Sequence, residues 1–105
     1  MANTFKSAAT GSTTTLTTLY TCPASTTSVV HAIYMSNIDG INDATIDIAI
    51  SGSANFQTRR YILKTVDIPA DSTVVIEKPI NLGDGDKLET KASANGDIDV
   101  FASIL

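Results

Sequence analysis

Three groups of side chains in this sequence are of types that could do chemistry. They are the single histidine His31 with the single cysteine Cys22, four acidic residues near the carboxyl end (Asp84, Asp86, Asp97 and Asp99), and the pair Arg59-Arg60 beside Tyr61. One imidazole can build neither a multi-histidine metal site nor a relay. A nucleophilic thiol or hydroxyl needs an oriented base and an oxyanion site, and no Gly-flanked Ser or Cys turn marks one. His31 falls within an apolar run, which predicts a hydrogen-bonded structural role. Cys22 reads as a buried small hydrophobe, inert when enclosed. The sequence therefore predicts no enzyme and no cofactor. The four aspartates come together if the last two strands form a hairpin. A hard cation such as calcium, which takes roughly six to eight oxygens, would then have ligands. The competing role is turn formation, which Asp and Gly serve without an ion. Arg59-Arg60 could engage an acidic neighbouring protein or a glycan, or simply be solvated.

The elements that must position these groups are strands. Short alternating segments are expected at 16–21, 28–38, 44–51, 61–68, 73–78, 87–93 and 98–105. Ile46, Ile48 and Ile50 would then face one way and Thr45, Asp47 and Ala49 the other, because successive side chains point to opposite faces of a sheet. Asp39-Gly40, Ser51-Gly52-Ser53, Gly83-Asp84-Gly85-Asp86 and Asn95-Gly96-Asp97 supply turn residues. The last of these turns is short enough to predict that the final two strands pair as a hairpin. Seven such strands cannot bury an apolar face as one flat sheet. The expected fold is all-β: an antiparallel two-sheet β-sandwich, jelly-roll or immunoglobulin-like in path, with a strongly curled barrel as the alternative. Pro23-Ala24-Ser25 and Pro69-Ala70-Asp71 each lead into a Val-rich strand. Each should mark a corner where the chain crosses between sheets, since proline cannot continue a ladder.

At 105 residues the chain has the size of one domain. Residues 1–14 read as an extended, Thr- and Ser-rich arm with Phe5 as its one sizeable anchor, followed by a single sandwich domain at 15–105. Apolar residues make up 43% and charged residues only 17%, so Ser, Thr and Asn must cover much of the surface, as suits contact with other proteins. Seven basic against eleven acidic residues give a net charge of −4. That balance repels a phosphate backbone and argues against nucleic acid as a partner. The amino-terminal residues lack a signal-peptide pattern, and no apolar run is long enough for a membrane helix. No membrane partner is expected.

Two strands depart from clean alternation. Val30, Ala32, Tyr34 and Ile38 share one face of 28–38, yet Val29, Ile33 and Met35 share the other with His31 and Asn37. In the last strand Ile98, Val100, Ala102 and Ile104 oppose Phe101 and Leu105. A strand apolar on both sides needs a cover beyond the facing sheet, either a loop or a partner. The contact residues expected on this reading are Phe5 and Lys6 of the arm, Val29, Ile33 and Met35, and Phe101 with Leu105.

The run Thr18-Leu19-Tyr20-Thr21-Cys22-Pro23-Ala24 precedes a Val-rich strand ending near Ser36-Asn37. With Asp67-Ile68-Pro69-Ala70, Leu82-Gly83-Asp84-Gly85-Asp86-Lys87-Leu88 and Lys91-Ala92-Ser93-Ala94 leading to Asp99-Val100, it resembles small virion proteins of tailed bacteriophages of the marine or cyanobacterial type, over residues 16–105. Cys22 departs from the small aliphatic residue more usual at that place. The resemblance implies a β-sandwich accessory protein of the virion. Its expected function is capsid decoration or cement, in many copies, with the major capsid protein or another virion structural protein as partner and self-association into a homo-oligomer. Neck, tail or fibre placement is the alternative within that class. A carbohydrate-binding host-recognition module is the alternative outside it, weakened by the absence of Trp.

Overall fold

The computed structural model describes residues 6–52 and 59–105 and folds them into nine strands. In chain order these are β1 (Lys6–Gly11), β2 (Thr17–Thr21), β3 (Ser28–Asn37), β4 (Ala44–Ser51), β5 (Arg60–Ile68), β6 (Thr73–Ile76), β7 (Ile80–Leu82), β8 (Lys87–Ala92) and β9 (Ile98–Ile104). The first sheet runs β1-β9-β3-β6, with β7 pairing the amino-terminal half of β3. The second runs β2-β8-β4-β5, and all pairs are antiparallel. Glu77-Lys78-Pro79 separates β6 from β7, because proline has no N–H to give a ladder. With β6 and β7 counted as one broken edge strand, this order is that of a jelly roll, a double-sheet sandwich made of two Greek keys.

The core is made by the inward faces. Ile46, Ile48 and Ile50 of β4 and Leu88 and Ala92 of β8 meet Val30, Ile33 and Met35 of β3 and Ile98, Val100, Ala102 and Ile104 of β9. Each fully buried Ile or Leu contributes roughly 1.5–3 kcal/mol, and the one cysteine, Cys22, is buried and unpaired. The two Pro-led corners behave alike. Ser25 (φ 56°) and Asp71 (φ 57°) both take the left-handed conformation two residues after the proline. Both corners carry the chain from the second sheet to the first, as the paired sequence segments predict.

Two expectations are overturned. β8 and β9 lie in opposite sheets, so Asn95-Gly96-Asp97 is a crossing and not a hairpin turn. Turn residues fix where a chain reverses but not which strand it pairs with. Here the apolar faces of β8 and β9 are both buried by meeting across the core. The segment from Lys6 onward is also no free arm. β1 pairs β9 from Lys6↔Ile104 to Gly11↔Asp99. Beyond it, Ser12 is buried, donating from its N–H to Ile98 O (2.7 Å) and accepting from Gly96 N–H (3.0 Å), while Thr13 O accepts from Ala92 N–H (2.8 Å). The Ser12 and Thr90 hydroxyls meet at 3.3 Å, tying the first sheet's edge to the second. Ser12 and Thr13 suit this path because their backbone groups find partners within the chain.

Candidate protein interface

The doubly apolar run in β3 has a local cause. Val30 pairs Ile104 and Ala32 pairs Ser103, so His31 is an extra residue opposite nothing, a β-bulge. Beyond a bulge the side-chain alternation changes phase. Val30 points inward before the bulge; Ile33 and Met35 point inward after it. Ile33 and Met35 are fully buried, which corrects their assignment as contact residues. His31 is exposed at the bulge instead of enclosed in an apolar strand. Tyr34, assigned by strict alternation to the face of Val30, projects outward and is 42% exposed.

The outer face of the first sheet then reads in rows. Strand pairing aligns Ala9 with Phe101, Phe101 with Tyr34, and Tyr34 with Val75. This row crosses β1, β9, β3 and β6, and its Phe101 and Tyr34 rings are tilted 54° at a centroid distance of 6.1 Å. Phe101 is 42% exposed and Val75 37%. The next row is polar: Gly11, Asp99, Ser36 and Thr73, with the Ser36 and Thr73 hydroxyls 3.0 Å apart. The two rows border an open depression of about 450 Å³ lined by Ala9, Gly11, Tyr34, Ser36, Asp99 and Phe101 among others. Glycine at position 11 keeps one wall low beside the Asp99 carboxylate.

Of the other expected contact residues, Phe5 lies outside the described residues. Lys6 is exposed at the start of β1, its Nζ 6.0 Å from the centroid of the Tyr20 ring. Val29 and Leu105 are half-buried and exchange backbone hydrogen bonds at 3.0 and 2.7 Å, which closes the carboxyl end onto β3. Tyr34 and Val75 are the contact candidates that sequence reasoning missed. Ile33, Met35 and Asn37 share one phase and Tyr34 and Ser36 the other; that polar tip and hydroxyl are the only local sign of which side faces water.

The aspartates do not converge as a metal site. Among the described residues no group of three or more His, Cys, Asp or Glu side chains could hold a metal ion. Asp86 is buried and braces its own turn, its Oδ2 accepting from Gly83 N–H at 2.8 Å. Asp86 Oδ1 has no hydrogen-bond partner among the described residues and packs on Gly52, where any Cβ would collide with it. Cys22 is buried as expected, with Sγ 3.4 Å from the Ser28 hydroxyl.

The outer face of the second sheet carries two ion pairs beside Tyr61, which is 46% exposed with Lys64 Nζ 5.0 Å from its ring centroid. Arg59 donates from Nε to Glu89 Oε1 at 2.8 Å. Lys64 donates to Asp47 Oδ2 at 3.2 Å, while Asp47 Oδ1 accepts from Thr65 N–H at 2.7 Å. Thr65 is left-handed (φ 53°) within a stretch of β5 whose pairing to β4 is shifted by bulges. Burial pushes the Glu89 carboxyl up, but the hydrogen bonds from Arg59 and Ser51 and the nearby positive charges outweigh it. The net effect holds Glu89 below its ordinary value. Arg59 is therefore engaged within the chain. Away from both faces, backbone hydrogen bonds from Ile41 and Asn42 hold half-buried Asp39 below its ordinary value and fix the β3–β4 turn.

Compared with known proteins, the chain matches no family model, no curated protein and no solved structure.

Proposed function

We propose that this chain is a non-enzymatic structural protein of a phage virion, a capsid decoration or cement protein that attaches in many copies to the particle through the outer face of its first sheet. The observation that carries this is the row Ala9, Phe101, Tyr34 and Val75. It is an apolar band across four strands, with two aromatic rings open to solvent beside a polar row that can supply hydrogen bonds. Aromatic anchors ringed by polar groups are the usual energetic centre of a protein interface. Two further points support the reading. The jelly-roll path is one that viral capsid and lectin domains use, although a fold alone does not fix a function. The turn-and-strand segments from Thr18 to Val100 resemble small virion proteins of tailed phages. Many weak contacts suffice on a repeating lattice, because multivalency raises the effective concentration of each. The partner on this reading is the major capsid protein or another virion protein.

The test is co-sedimentation with stripped capsids, comparing wild type with Tyr34→Ser/Phe101→Ser. Loss of two such anchors, each on the order of 2 kcal/mol, should weaken attachment at least tenfold while the thermal melt stays within a few degrees. Undiminished attachment of a folded double variant overturns the reading. Copy number per purified particle, by mass spectrometry, separates head from neck, tail or fibre: hundreds of copies place it on the head, and about a dozen on the neck or tail.

The polar row favours one second reading, a carbohydrate-binding module. A pyranose ring stacks its C–H face on an aromatic surface and offers hydroxyls to a carboxylate, and Asp99 with Ser36 lies next to Phe101 and Tyr34. Saturable binding on a glycan array, lost in Asp99→Asn, would favour that reading over attachment to capsid protein.

A further inference from the structure

Each sheet has two edges, and three of the four are interrupted. β2 loses register with β8 between Thr18 and Tyr20. β5 carries two register shifts against β4 and the left-handed Thr65. The β6–β7 edge is broken at Glu77-Lys78-Pro79. Bulges and proline are the devices by which sheet proteins keep edges from pairing with other chains. The fourth edge, β1, has none of them. It runs six residues in unbroken register with β9, its residues after Lys6 are all small, and among the described residues its backbone pairs only with β9.

We infer that β1 is an interaction edge and that its partner is β1 of a second copy of this chain, paired antiparallel across a two-fold axis. The strand is self-complementary. With Ala9 opposite Ala9 of the second copy, Ser7 faces Gly11 and Ala8 faces Thr10. No large side chain is opposed, and the one charged residue, Lys6, falls beyond the paired stretch, away from its symmetry mate. This register also keeps the faces consistent. Lys6, Ala8 and Thr10, which align with the inward residues Ile104, Ala102 and Val100, stay on the core side in both copies. The outer row Val75, Tyr34, Phe101, Ala9 then continues across the axis into the same row reversed. Isologous contacts of this kind are the commonest route to a symmetric dimer. The inference goes beyond the proposed attachment function and does not depend on what the outer face binds.

The experiment is light scattering of the full chain over a concentration series, alongside two variants at the exposed outer position 9. Wild type should rise toward twice the monomer mass. Ala9→Lys places like charges directly opposite each other, so it should weaken the dimer at least tenfold with an unchanged thermal melt. Ala9→Cys should cross-link to a disulfide dimer under mild oxidation, because directly opposed residues of an antiparallel pair bring their Cβ atoms to about 4.5–5.5 Å. Tyr61→Cys on the bulged β5 edge is the control and should cross-link far more slowly; native Cys22 is buried and stays silent. A monomer at every concentration, a dimer indifferent to Ala9→Lys, or cross-linking no faster than the control overturns the inference.

Discussion

The outer faces of the two sheets come from the same alternation of side chains and differ in what they leave unmet. On the second sheet, Asp47 and Glu89 are nearly buried, and their charges are answered from within the chain by Lys64, the Thr65 N–H and Arg59. On the first sheet, Phe101 and Tyr34 stand from a bed of Ala and Ser as each other's aromatic neighbours among the described residues, each 42% exposed. A face whose polar groups are satisfied internally gains little from a partner, whereas exposed rings still have apolar area to remove from water. The contrast supports the proposal of attachment through the first sheet, whose two rings stand together, whereas Tyr61, 46% exposed on the second sheet, lies under the Lys64 ammonium. Three comparisons of variants can break or sharpen it.

The largest effect separates neighbours in β3. Met35→Asp places an unpaired charge in the core and should cost more than about 4 kcal/mol, enough to unfold a domain of this size. Tyr34→Asp, one residue earlier but on the outer face, should stay within about 1 kcal/mol of wild type. Urea denaturation of the pair reads this directly; similar losses for both would mean that the bulge at His31 does not set the faces.

A middle-sized effect is expected on the second sheet. Asp47→Ala strips the partner from the Thr65 N–H and from Lys64. Losing these part-buried hydrogen bonds to a carboxylate should cost on the order of 1–3 kcal/mol, more than the Tyr34→Ser/Phe101→Ser variant on the other sheet. Equal stability losses from the two faces would remove the distinction between a self-satisfied surface and an open one.

The smallest effect is a pH dependence. Glu89 is held below its ordinary value of 4.5 in the folded chain, so the unfolded state binds the proton first as pH falls. Its contribution is complete above about 4.5 and is lost as pH drops through the lower folded value. Denaturation midpoints at pH 6 and near pH 3.5 should therefore differ less in Glu89→Gln than in wild type. An identical pH response in the two proteins would show that the Arg59 contact does not hold in solution.

Much of the framework was legible in the residues. β4 spans Ala44–Ser51 as its alternation predicts, and the Pro-led segments at 23 and 69 do turn the chain from one sheet to the other. Burial of Cys22 followed from its type and its place at a strand end. These features are local: side-chain period, turn chemistry and the missing proline donor act within a few residues. What failed was non-local. His31 is a bulge only because of how β3 registers on β9, some seventy residues away, and that register decides whether Met35 or Tyr34 meets solvent. The pairing of Lys6–Gly11 with β9 likewise turns a Thr-rich terminus into an edge strand. The separation of β8 from β9 disperses aspartates that lie close in sequence. The sequence by itself determined that this chain would be a two-sheet β-sandwich with an Ile- and Val-rich core, because alternation and turns are encoded residue by residue. Only the tertiary structure decided which apolar residues became surface, because strand partnership and register are settled by burying both sheets' faces at once.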